Sequence, residues 1–182
     1  MKKILVAVAP GFEEIETITV VDILRRSGAR VTLAGTQTGN IEGSRGVYIV
    51  VDAPLEILNG TDFDMIVLPG GQPGTDNLRK NAAVAEIVRS MFAEGKIIAA
   101  ICAAPTILDD LGILDGVTIT SHPSVQGHFD TSHYSKERVV VDKNVITSRS
   151  PGTAMEFSMK LVEILFDRDR MEKVNSGVMA RL

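Results

Sequence analysis

The 182-residue chain predicts an α/β fold, a doubly wound and mostly parallel sheet sandwiched by helices. Short apolar runs alternate with helix-length amphipathic segments along the chain. The runs lack polar–apolar alternation, as strands covered on both faces do. The first thirty-five residues spell strand, helix, strand, which is a βαβ unit.

Each element has its own warrant. Residues 3–9 form the first apolar run, stopped by Pro10-Gly11. The next segment opens on Glu13, Glu14 and Glu16, closes on Arg25-Arg26, and ends at Gly28, where a helix C′ glycine belongs. Residues 29–34 read as the second strand and 63–68 as another, running into Pro69-Gly70-Gly71. Asn81 is placed to cap a helix over 82–94, stopped by Gly95. Residues 96–101 are a buried strand, Pro105 opens a helix, and 117–120 form a further strand. Two β-like runs flanking Asp142-Lys143-Asn144 signal a hairpin. Thr153 and Glu156 are spaced as a capping box for a helix over 154–166, and the tail 167–182 is expected to be helical. No linker, repeat or low-complexity tract divides the chain, so residues 1–182 read as a single domain.

Composition excludes several function classes. There are 19 basic and 23 acidic residues, a net of −4, and no Lys/Arg run to hold a phosphate backbone. Tryptophan is absent and only two tyrosines and six phenylalanines occur, which leaves little for base stacking. Nucleic acid is therefore not an expected partner. No stretch approaches a membrane span, and the N-terminal run is too short for a secretion signal. The single cysteine, Cys102, excludes an internal disulfide and a cysteine-cluster metal site. A lone thiol without a secretion signal suits a reducing, cytoplasmic setting.

In doubly wound sheets ligands sit beyond the carboxyl ends of the strands. That directs attention to 10–16, 69–75, 102–106 and 121–133. Cys102 ends a strand and precedes a helix, flanked at two residues by Ala100 and Ala104, the small–x–nucleophile–x–small logic of an elbow. A following helix N-terminus stabilises a thiolate. The competing reading is an inert buried cysteine. Glu14 and Glu16 both align with apolar residues of their helix, so periodicity nominates two carboxylates without choosing between them. A carboxyl buried beside the thiol would have a raised pKa and could donate a proton. His122 and His133 follow the strand at 117–120 and are candidates for acid–base work, against the alternative of solvated loop histidines. Gly70-Gly71 offers backbone amides for an anion nest. Ser44-Arg45 and Ser148-Arg149 offer anion-binding side chains, although surface arginines are common.

Together these segments resemble the ThiJ/PfpI superfamily, and within it the parkinsonism-associated deglycase branch. The resemblance runs through Gly11-Phe12-Glu13-Glu14-Ile15-Glu16-Thr17, Gly43-Ser44-Arg45-Gly46-Val47 and Val67-Leu68-Pro69-Gly70-Gly71. It continues through Ala99-Ala100-Ile101-Cys102-Ala103-Ala104-Pro105, His133-Tyr134 and Thr147-Ser148-Arg149-Ser150-Pro151-Gly152-Thr153.

The resemblance implies a flavodoxin-like, class I glutamine amidotransferase-like domain, assembled as a homodimer. It implies that Cys102 is the nucleophile, Glu16 the carboxylic acid bonded to its sulfur, and His133 the nearby histidine. Gly70, Gly71 and Ala103 would surround an oxyanion, and Arg45 and Arg149 would line the approach. No cofactor or metal is implied. The implied activity is that of a glyoxalase or deglycase acting on glyoxal, methylglyoxal or early glycation adducts. The implied alternative is a redox-sensing, chaperone-like dimer in which Cys102 becomes a sulfinate. Protease-like members carry a histidine directly after the cysteine. Ala103 holds that position here, which argues against a peptidase.

Overall fold

The structure, a computed structural model, describes every residue except Thr131 and Arg181. Thr131 falls in the segment 121–133 and Arg181 in the tail expected to be helical; both lie outside the described residues. In chain order the elements are β1 (Lys3–Val8), α1 (Glu14–Arg26), β2 (Arg30–Gly35), β3 (Asn40–Glu42), β4 (Tyr48–Val50), β5 (Ala53–Pro54), β6 (Met65–Leu68), α2 (Gly74–Lys80) and α3 (Ala82–Ala93). There follow β7 (Ile97–Ile101), α4 (Pro105–Asp110), β8 (Thr118–Ile119), β9 (His133–Tyr134), β10 (Val139–Asp142), β11 (Val145–Ser148), α5 (Ala154–Leu165) and α6 (Arg168–Val178).

The main sheet has the order β10-β11-β7-β6-β1-β2-β5. Its pairings are parallel except for the β10–β11 hairpin. From β1 the chain winds outward to β2 and β5, then returns to the other side of β1 with β6 and β7. The winding reverses between β1 and β6, which opens a crevice at their carboxyl ends.

The strands bury both faces, and this explains their unalternated sequences. Ile4, Val6 and Val8 of β1 pack with Val20, Ile23 and Leu24 of α1 and Phe157 and Leu161 of α5. Leu5 and Ala7, on the opposite face, pack with Val84, Ile87 and Met91 of α3 and Leu108 of α4. Helix ends follow the expected chemistry. The Asn81 side chain accepts the Val84 amide at 3.2 Å, and Gly28 takes φ +88° just past α1.

Two local expectations need correction. The run 117–120 gives a strand of two residues that pairs with β9 outside the main sheet. Amides here go to side chains of β10 and β11 and make no backbone ladder with the main sheet: Thr118 donates to Asp142 (2.7 Å) and Thr120 to Thr147 Oγ1 (2.9 Å). The Thr153/Glu156 capping box does not form. Thr153 Oγ1 accepts the amides of Arg149 and Ser150, and Glu156 pairs with Arg138 at 2.6 Å. Helix α2 and the β3–β4 hairpin, too short for a periodicity to show, were not expected. No helix among the described residues is long and apolar enough to cross a membrane.

Candidate active site

Three strand ends meet at the crevice. Glu16 lies in the first turn after β1, Gly70 and Gly71 follow β6, and Cys102 follows β7. Cys102 has φ +67°, the left-handed region that a non-glycine residue adopts only under constraint. Its backbone is pinned on both sides. Its amide donates to the Ser148 carbonyl at 3.0 Å, and its carbonyl accepts the His122 amide at 2.8 Å. The conformation costs about 1–2 kcal/mol and turns the chain sharply from strand into α4.

Gly70 makes the close approach possible. A Cβ on Gly70 would stand 2.7 Å from Cys102 Cβ and 2.9 Å from Glu16 Oε2. Its amide donates to Glu16 Oε2 at 2.8 Å. Gly70 is thus committed to holding the carboxyl and does not supply an oxyanion donor, contrary to the expectation for it. The amides of Gly71 and Ala103 face the sulfur instead.

The two candidate carboxylates separate by their partners. Burial pushes Glu14 upward, but the amides of Arg45 (2.6 Å) and Val47 (3.4 Å) and the Ser44 hydroxyl (3.1 Å) outweigh it and hold Glu14 below its ordinary range. Glu14 is therefore an anion that fastens the turn between β3 and β4. Glu16 is fully buried. Burial pushes it up to about 7, opposed by the Gly70 amide and the Cys102 thiol. Its Oε1 meets no donor at hydrogen-bond distance. Cys102 is pushed up to about 12, first by burial and then by the Glu16 carboxylate, with the Ala103 and Gly71 amides pulling the other way. Burial thus raises both groups, and the Glu16 carboxylate favours the protonated form of the thiol.

Cys102 opens into a cleft of about 370 Å³, lined also by Ser44, Arg45, Gln72, Ala103, His122 and Ser124. Arg45, on the turn that Glu14 fastens, stands at its rim. Two expected site residues are not brought here. Arg149 directs its guanidinium to the Lys136 carbonyl at 2.7 Å. His133 is exposed on β9, near Asp142. The parallel β8–β9 register sets His133 opposite Thr118, whereas the cleft-lining stretch begins past Thr120. Tyr134, next in the strand, reaches the Ser121 carbonyl at 3.1 Å. The histidine in the cleft is His122, the third residue beyond the end of β8. The His-Pro pair at 122–123 was the available signal for it, and nothing in the sequence ranked it above His133. His128 instead pairs with Asp110 at 3.0 Å.

The family model described as "DJ-1/PfpI family" matches residues 2–164. Drosophila melanogaster DJ-1beta, a solved structure, is 41% identical with a TM-score of 0.94, covering 98% of this chain and 97% of that one. An oxidized DJ-1 from Toxoplasma gondii is 35% identical with a TM-score of 0.95, covering 98% of each chain. A Caenorhabditis elegans protein named glutathione-independent glyoxalase DJR-1.2 is 38% identical over 90% of this chain and 87% of its own length.

Proposed function

Since this chain belongs to the DJ-1/PfpI family, we propose that it is a cofactor-free, cysteine-dependent enzyme acting on reactive dicarbonyls such as glyoxal and methylglyoxal, or on early glycation adducts. The observation that carries the reading is the Glu16–Cys102 pair: a buried carboxyl beside a strained, cleft-facing sulfur. The glyoxalase named among its relatives supports the same class.

The chemistry needs no external oxidant. With a proton on Glu16, the Cys102 thiolate attacks the aldehyde carbon and forms a C–S bond. The carbonyl pair becomes an alkoxide, which Glu16 protonates, giving a hemithioacetal. The Glu16 carboxylate then removes the proton from that carbon and returns it to the neighbouring carbon. The hydroxyl proton passes to the second oxygen. One carbon is thereby oxidised to a thioester and the other reduced to an alcohol. Water cleaves the thioester, releases a hydroxy acid and restores the pair with its single proton. The amides of Gly71 and Ala103 face the site of developing charge.

The rate of Cys102 alkylation against pH tests the reading. A midpoint near 7 that rises in Glu16→Gln means that the pair's negative charge resides on sulfur. A midpoint near 12 that falls in Glu16→Gln means that it stays on the carboxylate, and the thiol is then no nucleophile at neutral pH. Cys102→Ser should abolish dicarbonyl loss, measured with trace metals and free thiols excluded. Retained turnover would sink the enzymatic reading.

A second reading is favoured by the same pair. A sulfinate is rich in acceptors, and a buried carboxyl that keeps its proton to about pH 7 is a fitting donor to it. In this reading two peroxide molecules each transfer one oxygen atom to Cys102 and lose the other as water, in a redox-sensing, chaperone-like dimer. Intact mass after mild peroxide checks it: a gain of two oxygens in the wild type that Glu16→Leu alters. A second copy of this chain is the proposed partner. Ile15 and Ile18 of α1 and Tyr48 and Val50 of β4 are between 43% and 71% exposed, apolar surface suited to a homodimer contact.

A further inference from the structure

We propose that Asp110 positions the outer wall of the Cys102 cleft, and that its bond to His128 is a latch that a proton tightens. The latch acts on the walls of the cleft, so it stands whichever chemistry Cys102 performs. The wall is the 3-10 turn Pro123–His128, which brings Ser124 and Val125 to the cleft. No residue of this turn is buried, so packing does little to hold it. It follows β8, which lies outside the main sheet. Among the described residues, one side-chain hydrogen bond ties the turn to another element: His128 Nε2 donates to Asp110 Oδ1 at 3.0 Å. Asp110 ends α4, the helix that begins just past Cys102.

Asp110 also reaches the other way. Its Oδ2 lies 2.9 Å from Arg79 Nε of α2. The Arg79 guanidinium donates to Thr106 Oγ1, and that hydroxyl donates to the Ala103 carbonyl at 2.7 Å. One carboxylate therefore joins three segments that each supply cleft residues. Gly71 and Gln72 lead into α2, Cys102 and Ala103 lead into α4, and Ser124 and Val125 belong to the turn. Of its two contacts, the one to His128 can change charge near neutrality. Histidine gains its positive charge between about pH 5 and 8, whereas a guanidinium keeps its own. A protonated imidazole makes a charge-assisted bond, roughly twice as strong as a neutral one. The charged groups around the ring are Asp109 and Asp110 of α4, 3.7 Å and 3.0 Å from Nε2, and Asp130 in the loop beyond the turn, whose charge reaches Asp109. Arg79 stands on the far side of Asp110 and also meets Asp76 at 3.7 Å. Acid therefore fastens the turn to α4, and a rise in pH leaves a weaker, neutral bond.

Two cysteine reagents test this, iodoacetamide and the bulkier N-ethylmaleimide. Both need the same thiolate, so the ratio of their rates cancels its ionisation and reads the width of the cleft. In the wild type the ratio of bulky to small reagent should rise about threefold from pH 6 to pH 8. His128→Ala should hold it high at both pH values. His128→Gln keeps a donor but takes no proton, and should hold it at one intermediate value. Asp110→Ala should raise the ratio further, since Arg79 is released as well. Hydrogen exchange at the amides of 124–129, corrected for the chemical rate at each pH, should follow the same order, with the α3 amides unchanged. A ratio that is flat in the wild type, or that rises as much in His128→Ala, overturns the latch. So does exchange that changes in His128→Ala while the ratio does not, because the bond would then hold the turn without shaping the cleft. Should Asp110→Ala fail to fold, the variants at the exposed His128 decide the matter alone.

Discussion

At the scale of single residues the site is built from proximity without slack. Gly70 illustrates it: Gly70→Ala places a methyl group against both Cys102 Cβ and Glu16 Oε2. The backbone after β6 must move, and we expect a loss of about 1–3 kcal/mol with slower alkylation of Cys102. Denaturant titration and the alkylation rate check both. Glu16 carries the clearest pH signature. Its folded pKa of about 7 lies above its ordinary value, so the folded state binds more protons between roughly pH 4.5 and pH 7. Stability is fully present below that window and falls as pH rises through it, by about 3 kcal/mol in all. Urea unfolding at pH 5 and pH 8 should show that fall in the wild type and a smaller one in Glu16→Gln; equal falls would mean the carboxyl is not burdened by burial. Cys102 was legible from its small neighbours and its place after a strand. The choice between Glu14 and Glu16 was not legible from periodicity, because both lie on buried positions of one helix. What divides them is what they meet across the fold: a turn that needs an anion, or a sulfur that needs a proton.

Elements place these residues, and the irregular ones matter most. The β3–β4 hairpin brings Ser44 and Arg45 to the cleft, yet its strands are three residues each and showed no periodicity. Glu14 joins it to α1. Glu14→Ala should raise hydrogen exchange at the Arg45 and Val47 amides selectively, read by mass spectrometry, while α3 is untouched. By contrast the regular elements were legible because their signals are local. Asn81 caps α3 as its spacing predicted, and Asn81→Ala should cost about 1 kcal/mol in thermal or denaturant unfolding. The error over the histidines has an element-scale cause. β8 and β9 pair outside the main sheet, and no rule of strand alternation sets their register. That register carries His133 toward Asp142 and leaves His122 in the cleft.

For the whole molecule, the doubly wound order followed from alternation of elements, and the crevice followed from where the winding reverses. Assembly is a different matter, since a surface of exposed isoleucines on one helix and valine and tyrosine on one short strand has no pattern in sequence. If two copies pair through it, sedimentation should give twice the chain mass, and Ile18→Glu with Val50→Glu should give the monomer without loss of the native circular dichroism.

The three strand ends that make the site come from distant parts of the chain, and the Gly70–Glu16 bond alone spans 54 residues. None of the forces on the sulfur exists until β1, β6 and β7 lie side by side. In the unfolded chain the only thiol is an ordinary one. The protein therefore carries an internal clock for its own folding: pulses of an alkylating reagent during refolding would time the moment when the sheet closes around its switch point, with no label added.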